Sequence, residues 1–86
     1  MLQLRILESA ARELASLDRP TAARVVTKVR WLAGNFDKVR PEPLTGQLAG
    51  LFKLRVGPYR VIYEVLSNQE ILVVHAVGHR REVYRK

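Results

Sequence analysis

The stretch "LFKLRVGPYRVIYEVL" (51–66) restricts the fold more than any other part of this chain. Two alternating runs flank Gly57-Pro58, a dipeptide that marks a turn between extended segments. A two-residue turn there pairs Val56 with Tyr59, Arg55 with Arg60, Leu54 with Val61 and Lys53 with Ile62. Side chains alternate along a strand, so Phe52, Leu54, Val56, Val61, Tyr63 and Val65 share one face, with Tyr59 at its end. Lys53, Arg55 and Arg60 share the other. The apolar face needs cover, and the charged face needs water or an anion.

The cover lies upstream. Leu2, Leu4 and Ile6 alternate with Gln3 and Arg5, which predicts a short strand with one buried face. Ser9 is a candidate N-cap for a helix whose Ala10, Leu14 and Leu17 fall on one side. Asp18 before Pro20 marks a second helix start. Ala22, Val25, Val26, Val29, Leu32 and Ala33 then form a stripe, with Gly34 as the stop. Residues 35–50, "NFDKVRPEPLTGQLAG", hold two prolines and two glycines and are expected to form a long ordered loop, a kind often functional. After the hairpin, "EILVVHAV" follows a turn at Ser67-Asn68-Gln69 as a third strand of a meander. The expected fold is α+β: an N-terminal strand, a two-helix hairpin packed on an antiparallel sheet with a three-strand meander, and a short C-terminal basic segment. Residues 1–86 are read as a single domain.

Composition narrows the classes of function. Fifteen Lys and Arg against eight Asp and Glu give a net charge of +7, which favours a polyanionic partner. The absence of cysteine excludes disulfides and thiolate metal sites and suits a reducing cytoplasm. Charge at Arg5 and Glu8 argues against a secretory leader, and no apolar run is long enough to cross a membrane. A soluble, cytoplasmic protein is expected.

Three cations on one sheet face, with Arg55 opposite Arg60, repel one another. Glu64 is the acid expected nearby. If Asn68-Gln69 make the second turn, Ile62 opposes His75 and Arg60 opposes Val77, which adds His75 to the cationic face. The strand then runs to Gly78, and "HRREVYRK" leaves its end near Arg60. Arg80, Arg81 and Tyr84 are therefore expected to meet Lys53, Arg55 and Arg60.

Arginine forks bind phosphate, and tyrosine stacks on a base or bonds a phosphate oxygen. No metal is expected, since His75 and His79 stand roughly 13 Å apart on a strand. Such a set can cut RNA through its own 2′-hydroxyl. Arg60 and Arg80 suit charge stabilisation. Lys53, ringed by arginines, is a candidate base, and His79 a candidate acid or base. Trp31 and Phe36 are expected as packing anchors, and Tyr59 and Tyr63 as core or rim. Tyr84 is the aromatic expected to act on a ligand.

These residues resemble the RelE/ParE toxin superfamily of type II toxin–antitoxin systems, in its RelE-like branch. The likeness runs through Leu44 to Gly50 (L-x-G-x-L-x-G), "KLRVGPYR" and "GHRREVY", and covers essentially the whole chain. It implies a RelE-like microbial ribonuclease fold and a ribosome-dependent, metal-independent endoribonuclease that cleaves mRNA in the ribosomal A site. By position it implies catalytic roles for Lys53, Arg60, Arg80 and Tyr84, a role in proton transfer for His79, and RNA binding by Arg55, Arg81, Arg85 and Lys86. Leu51 and His79 stand where the best-studied members carry lysines. The resemblance further implies a cognate antitoxin, the ribosome and mRNA as partners, and no cofactor. The alternatives are a ParE-like inhibitor of DNA gyrase and a catalytically degenerate RNA- or ribosome-binding module.

Overall fold

A computed structural model describes residues 1–85, with side chains described to Tyr84. The elements are β1 (Gln3–Ile6), α1 (Glu8–Ala15), α2 (Arg19–Gly34), β2 (Glu42–Pro43), β3 (Phe52–Val56), β4 (Tyr59–Leu66) and β5 (Ile71–His79). Short 3₁₀ turns lie at Phe36–Lys38, Gly46–Leu48, Ser67–Gln69 and Val83–Arg85. The strands form one five-stranded sheet in the order β1-β5-β4-β3-β2.

The expected helix hairpin on a sheet with a three-strand meander is present, with two additions. First, β1 joins the sheet parallel to β5, with Gln3 to Ile6 beside Ile71 to Val74, so the sheet is mixed. Second, the segment expected as loop supplies β2, which pairs Glu42 with Lys53 and Pro43 with Phe52. Leu44 donates its amide to the Leu51 carbonyl and carries that ladder one step further.

Helix starts follow local chemistry only in part. Asp18 caps α2, accepting from the Thr21 amide at 3.2 Å and the Thr21 hydroxyl at 2.7 Å. Those bonds, the hydroxyl's first, hold the Asp18 carboxyl below its ordinary value. Ser9 does not cap α1; the helix starts earlier, at Glu8, after Leu7. The Leu7 amide is tied to the Val74 carbonyl at 3.1 Å, so the strand junction sets the start. Glu8 in the first turn suits the helix dipole.

Val25, Val29, Leu32 and Ala33 of α2 and Ala10 of α1 pack on Val56, Val61, Tyr63, Leu72, Val74 and Val77 of the sheet. A fully buried Val61 or Leu72 stabilises the fold by about 1.5–3 kcal/mol. Phe36 meets the Tyr63 ring edge-on with centroids 6.4 Å apart, and Phe52 stacks on Tyr63 at 5.6 Å. Trp31 is not a packing anchor. It sits just off the buried stripe, 49% exposed, with Lys28 Nζ 5.1 Å from its ring centre.

Candidate nucleic-acid interface

The first hairpin has the expected register throughout: Phe52 with Tyr63, Lys53 with Ile62, Leu54 with Val61, Arg55 with Arg60 and Val56 with Tyr59. Gly57 takes φ 58 in its turn, a value a side chain resists. Lys53, Arg55 and Arg60 thus stand together on the face away from the helices.

The repulsion among them is relieved by neighbours the sequence did not suggest. Arg60 Nη1 donates to the Gly57 and Tyr59 carbonyls, both at 2.8 Å, which ties its guanidinium to the turn. Glu42, brought by β2, accepts from Arg55 Nε at 3.3 Å and lies 3.9 Å from Lys53 Nζ. Partly exposed pairs of this kind contribute up to about 1 kcal/mol each. The same carboxylate reaches beneath the sheet surface electrostatically: burial, and then the Glu42 charge, push the Tyr63 phenol up to about 12.

The second hairpin departs from the expected register. The pairs run regularly from Leu66–Ile71 to Tyr63–Val74, and then a β-bulge shifts them. Ile62 opposes Ala76 rather than His75, and Arg60 opposes Gly78 rather than Val77. The physical reason is the core. Val74 and Val77 are both buried, at 1% and 2% exposure, and no unbroken alternation puts residues three apart on one face. His75 and Ala76 therefore both face Ile62. His75 still reaches the cationic face, but it bonds Glu64, with Nε2 2.7 Å from Oε1. Arg5, opposite Val73, also lies on this face, exposed.

The C-terminal residues are divided. The Arg80 amide donates to the Pro58 carbonyl at 2.8 Å, extending β5 along the hairpin turn. The chain then reverses, with the Glu82 amide on the His79 carbonyl at 2.8 Å. Val83, 3% exposed, folds back on Gly78, whose missing side chain makes room: a Cβ there would sit 3.4 Å from Val83 Cβ. Gly78 pairs with Arg60, and Tyr84, 39% exposed, follows Val83. Arg80 and Arg81 are exposed in the turn. His79 is not among them. It pairs with Tyr59 on the helix side, ring centroids 5.8 Å apart, and its Nδ1 accepts from the Arg81 amide at 3.2 Å. The Arg85 side chain and Lys86 lie outside the described residues.

A second surface was not foreseen. Pro20, Arg24, Lys28 and Trp31 of α2 face Arg55, Val56 and Gly57 across an open groove of about 660 Å³. Its floor is apolar and its rim cationic. Among the described residues no helix is long and apolar enough to cross a membrane.

Comparison with known proteins assigns the chain to a class. The family model for the ParE toxin of the type II toxin–antitoxin system parDE matches residues 4–84. The chain belongs to this toxin family, in the RelE/ParE superfamily. A chain of the RelBE2 toxin–antitoxin complex from Mycobacterium tuberculosis is 31% identical, with a TM-score of 0.82 over 92% of this chain and 98% of that one. The isolated E. coli RelE toxin, 22% identical, shares the fold with a TM-score of 0.77 over 99% and 93% of the two chains. Toxin RelG of Mycobacterium tuberculosis is 38% identical over 45 residues, an alignment spanning 52% of each protein, so about half the length of that relative is matched.

Proposed function

We propose that this toxin is a ribosome-dependent endoribonuclease that cuts mRNA in the ribosomal A site without a metal ion, and that a cognate antitoxin holds it in check. The observation that carries the reading is the gathering of Lys53, Arg55 and Arg60 on one sheet face. A phosphodiester over this face meets cations from two strands. The RNA 2′-oxygen attacks phosphorus, and Arg60, already fixed by two carbonyls, stabilises the negative charge that develops. Lys53, 3.9 Å from the Glu42 carboxylate, binds the phosphate and hands a proton to the leaving 5′-oxygen. Arg80, a cation at any working pH, stabilises the departing charge rather than transferring a proton. Tyr84 stacks on a base, while Arg55, Arg81, Arg85 and Lys86 hold the strand. His79, turned to the helix side, shapes the C-terminal turn through the Arg81 amide.

Relatives solved as toxin–antitoxin complexes support the antitoxin partner. So does the charge of the chain: α2 carries Arg19, Arg24, Lys28 and Arg30 and no acid, beside a groove that suits an acidic amphipathic segment.

The test adds purified protein to ribosomes paused on a defined mRNA and maps the ends. Cleavage within the A-site codon is expected only when ribosomes are present. Arg60→Ala should lower the rate by at least ~100-fold, the usual loss of a transition-state charge donor, and leave the fold intact. Tyr84→Ala should give a smaller loss. Full activity of Arg60→Ala would sink this assignment. The ParE description of the matching family supports a second reading, a DNA gyrase poison. Trapped cleaved DNA, with intact message on ribosomes, would establish that instead, and neither effect would mark a binding module.

A further inference from the structure

The nuclease reading lacks a proton acceptor. Lys53, with Nζ 3.9 Å from the Glu42 carboxylate, takes the acid's part in that reading, and His79 faces the helix side. We propose that His75, held by Glu64 on the cationic face, is the catalytic residue that takes the proton from the RNA 2′-hydroxyl. This inference rests on that reading and completes it.

Four observations support it. Val74 is in the core, so alternation carries His75 onto the face of Arg60 and Lys53, and the bulge that also buries Val77 leaves Ala76 beside it there. Bulges re-aim side chains in this way and recur beside active sites. Second, Glu64 Oε1 lies 2.7 Å from Nε2, and both side chains are about one-third exposed. A carboxylate there accepts the Nε2 proton and leaves Nδ1 with the free lone pair, the tautomer a base needs. Third, Lys53 and Ala76 both oppose Ile62 across β4, from its two sides. Two strand spacings separate them, roughly 10 Å, so Lys53 and the bulged pair His75-Ala76 stand on the two sides of Ile62. Fourth, Ile62 is 3% exposed although it lies away from the helices, so side chains of the cationic face close over it.

The step balances with these groups. The 2′-oxygen forms its bond to phosphorus as the P–O5′ bond breaks. The 2′-hydroxyl proton passes to His75 Nδ1, and Lys53 protonates the 5′-oxygen, leaving a 2′,3′-cyclic phosphate and a 5′-hydroxyl end. Glu64 is a positioning residue that fixes the imidazole and offsets its gained charge. The other charged groups facing His75 are Lys53 from β3, Arg60 from β4 and Arg5 from β1, with Arg80 and Arg81 in the turn beyond β5. Glu13 of α1 accepts from the Val77 amide at 2.9 Å at the edge of β5.

Single-turnover cleavage of ribosome-bound mRNA is measured across pH for the wild type, His75→Gln, His75→Ala and Glu64→Gln, with thermal melts of each. The wild-type rate should rise with pH along a limb set by the deprotonation of the base. His75→Gln should lose that rise and at least ~100-fold in rate, a typical contribution of a general base. Added imidazole should restore part of the rate to His75→Ala, a rescue that a structural role would not allow. Glu64→Gln should lose less and keep the pH limb. A His75→Gln rate within about twofold of an active wild type would overturn His75 alone and spare the nuclease. A wild type that cuts no message would bring down both.

Discussion

The two hairpins share β4 and obey different rules. β3–β4 turns through Gly57 and keeps an unbroken register over five pairs. β4–β5 turns through a 3₁₀ segment with Glu70 at φ 55 and then slips at the bulge between Ile62 and Tyr63. Regular alternation suffices to gather Lys53, Arg55 and Arg60, because they occupy positions two apart or directly opposed. It cannot bury both Val74 and Val77, nor bring His75 and Ala76 to the same face. The regular hairpin collects charge, and the irregular one adds a residue of different chemistry beside it.

The largest expected effect comes from deleting His75. The flanking pairs, Tyr63–Val74 and Ile62–Ala76, would become consecutive, and the second hairpin would follow the same rule as the first. Val77 would still oppose Val61 and remain in the core. The expected result is a folded protein with an unchanged or raised melting temperature, and cleavage reduced by at least ~100-fold. Cross-strand contacts between Tyr59 and residue 79, read by NMR, would check the register. A stability loss of about 1.5–3 kcal/mol, the worth of one buried valine, would mean that the bulge serves the fold instead.

The contrast between hairpins also explains what could be read from the residues. The first register was legible from Gly57-Pro58 and a clean period of two. The second was legible from the turn as far as Tyr63–Val74, because the same rule holds there. Beyond it, the available sign was the odd spacing of Val74 and Val77, and composition does not say which strand yields. β2 was missed because two residues, one of them proline, carry no periodicity, and Glu42 was missed with it. Trp31 looked like an anchor by type, although its helix position lies off the stripe that packs. The return of Val83 to the sheet depends on Gly78, whose small size has meaning only once Val83 lies against it. His79 lies on the helix side because the slip reverses the side chains that follow it, whereas His75 keeps the face that alternation predicts.

A middle-sized effect tests the strand the hairpins share. Tyr59 at its start is half-buried, whereas Tyr63 at the bulge is 1% exposed and its phenol is raised from 10.0 to about 12. A phenol held protonated in the fold contributes stability fully present below pH ~10, its unfolded value. That contribution is lost as pH rises toward about 12. Ultraviolet titration should show Tyr63 ionising last, with unfolding midpoints falling across that window. Glu42→Gln should bring the ionisation down, since its charge is the smaller of the two causes. Simultaneous ionisation of all three tyrosines near pH ~10 in a folded protein would refute the burial argument.

The smallest effect compares the turns. Gly57 occupies positive φ at no steric cost, whereas Glu70 at φ 55 carries a Cβ in a region where it crowds the carbonyl. That conformation costs roughly 1–2 kcal/mol in a side-chain-bearing residue. Glu70→Gly would remove the strain but also loosen the unfolded chain, which takes back about 0.4–1 kcal/mol. The backbone contacts of the position persist, since the Glu70 carbonyl still accepts from Gln3 at 2.8 Å and its amide still reaches Ser67. The net expectation is a gain of up to about 1 kcal/mol, or a rise of roughly 4–8 °C in Tm at its upper end. The cationic face is untouched, so cleavage should not change. A destabilised Glu70→Gly variant would show that the Glu side chain holds the turn, and that the two hairpins differ in their turns by design of contacts rather than by tolerated strain.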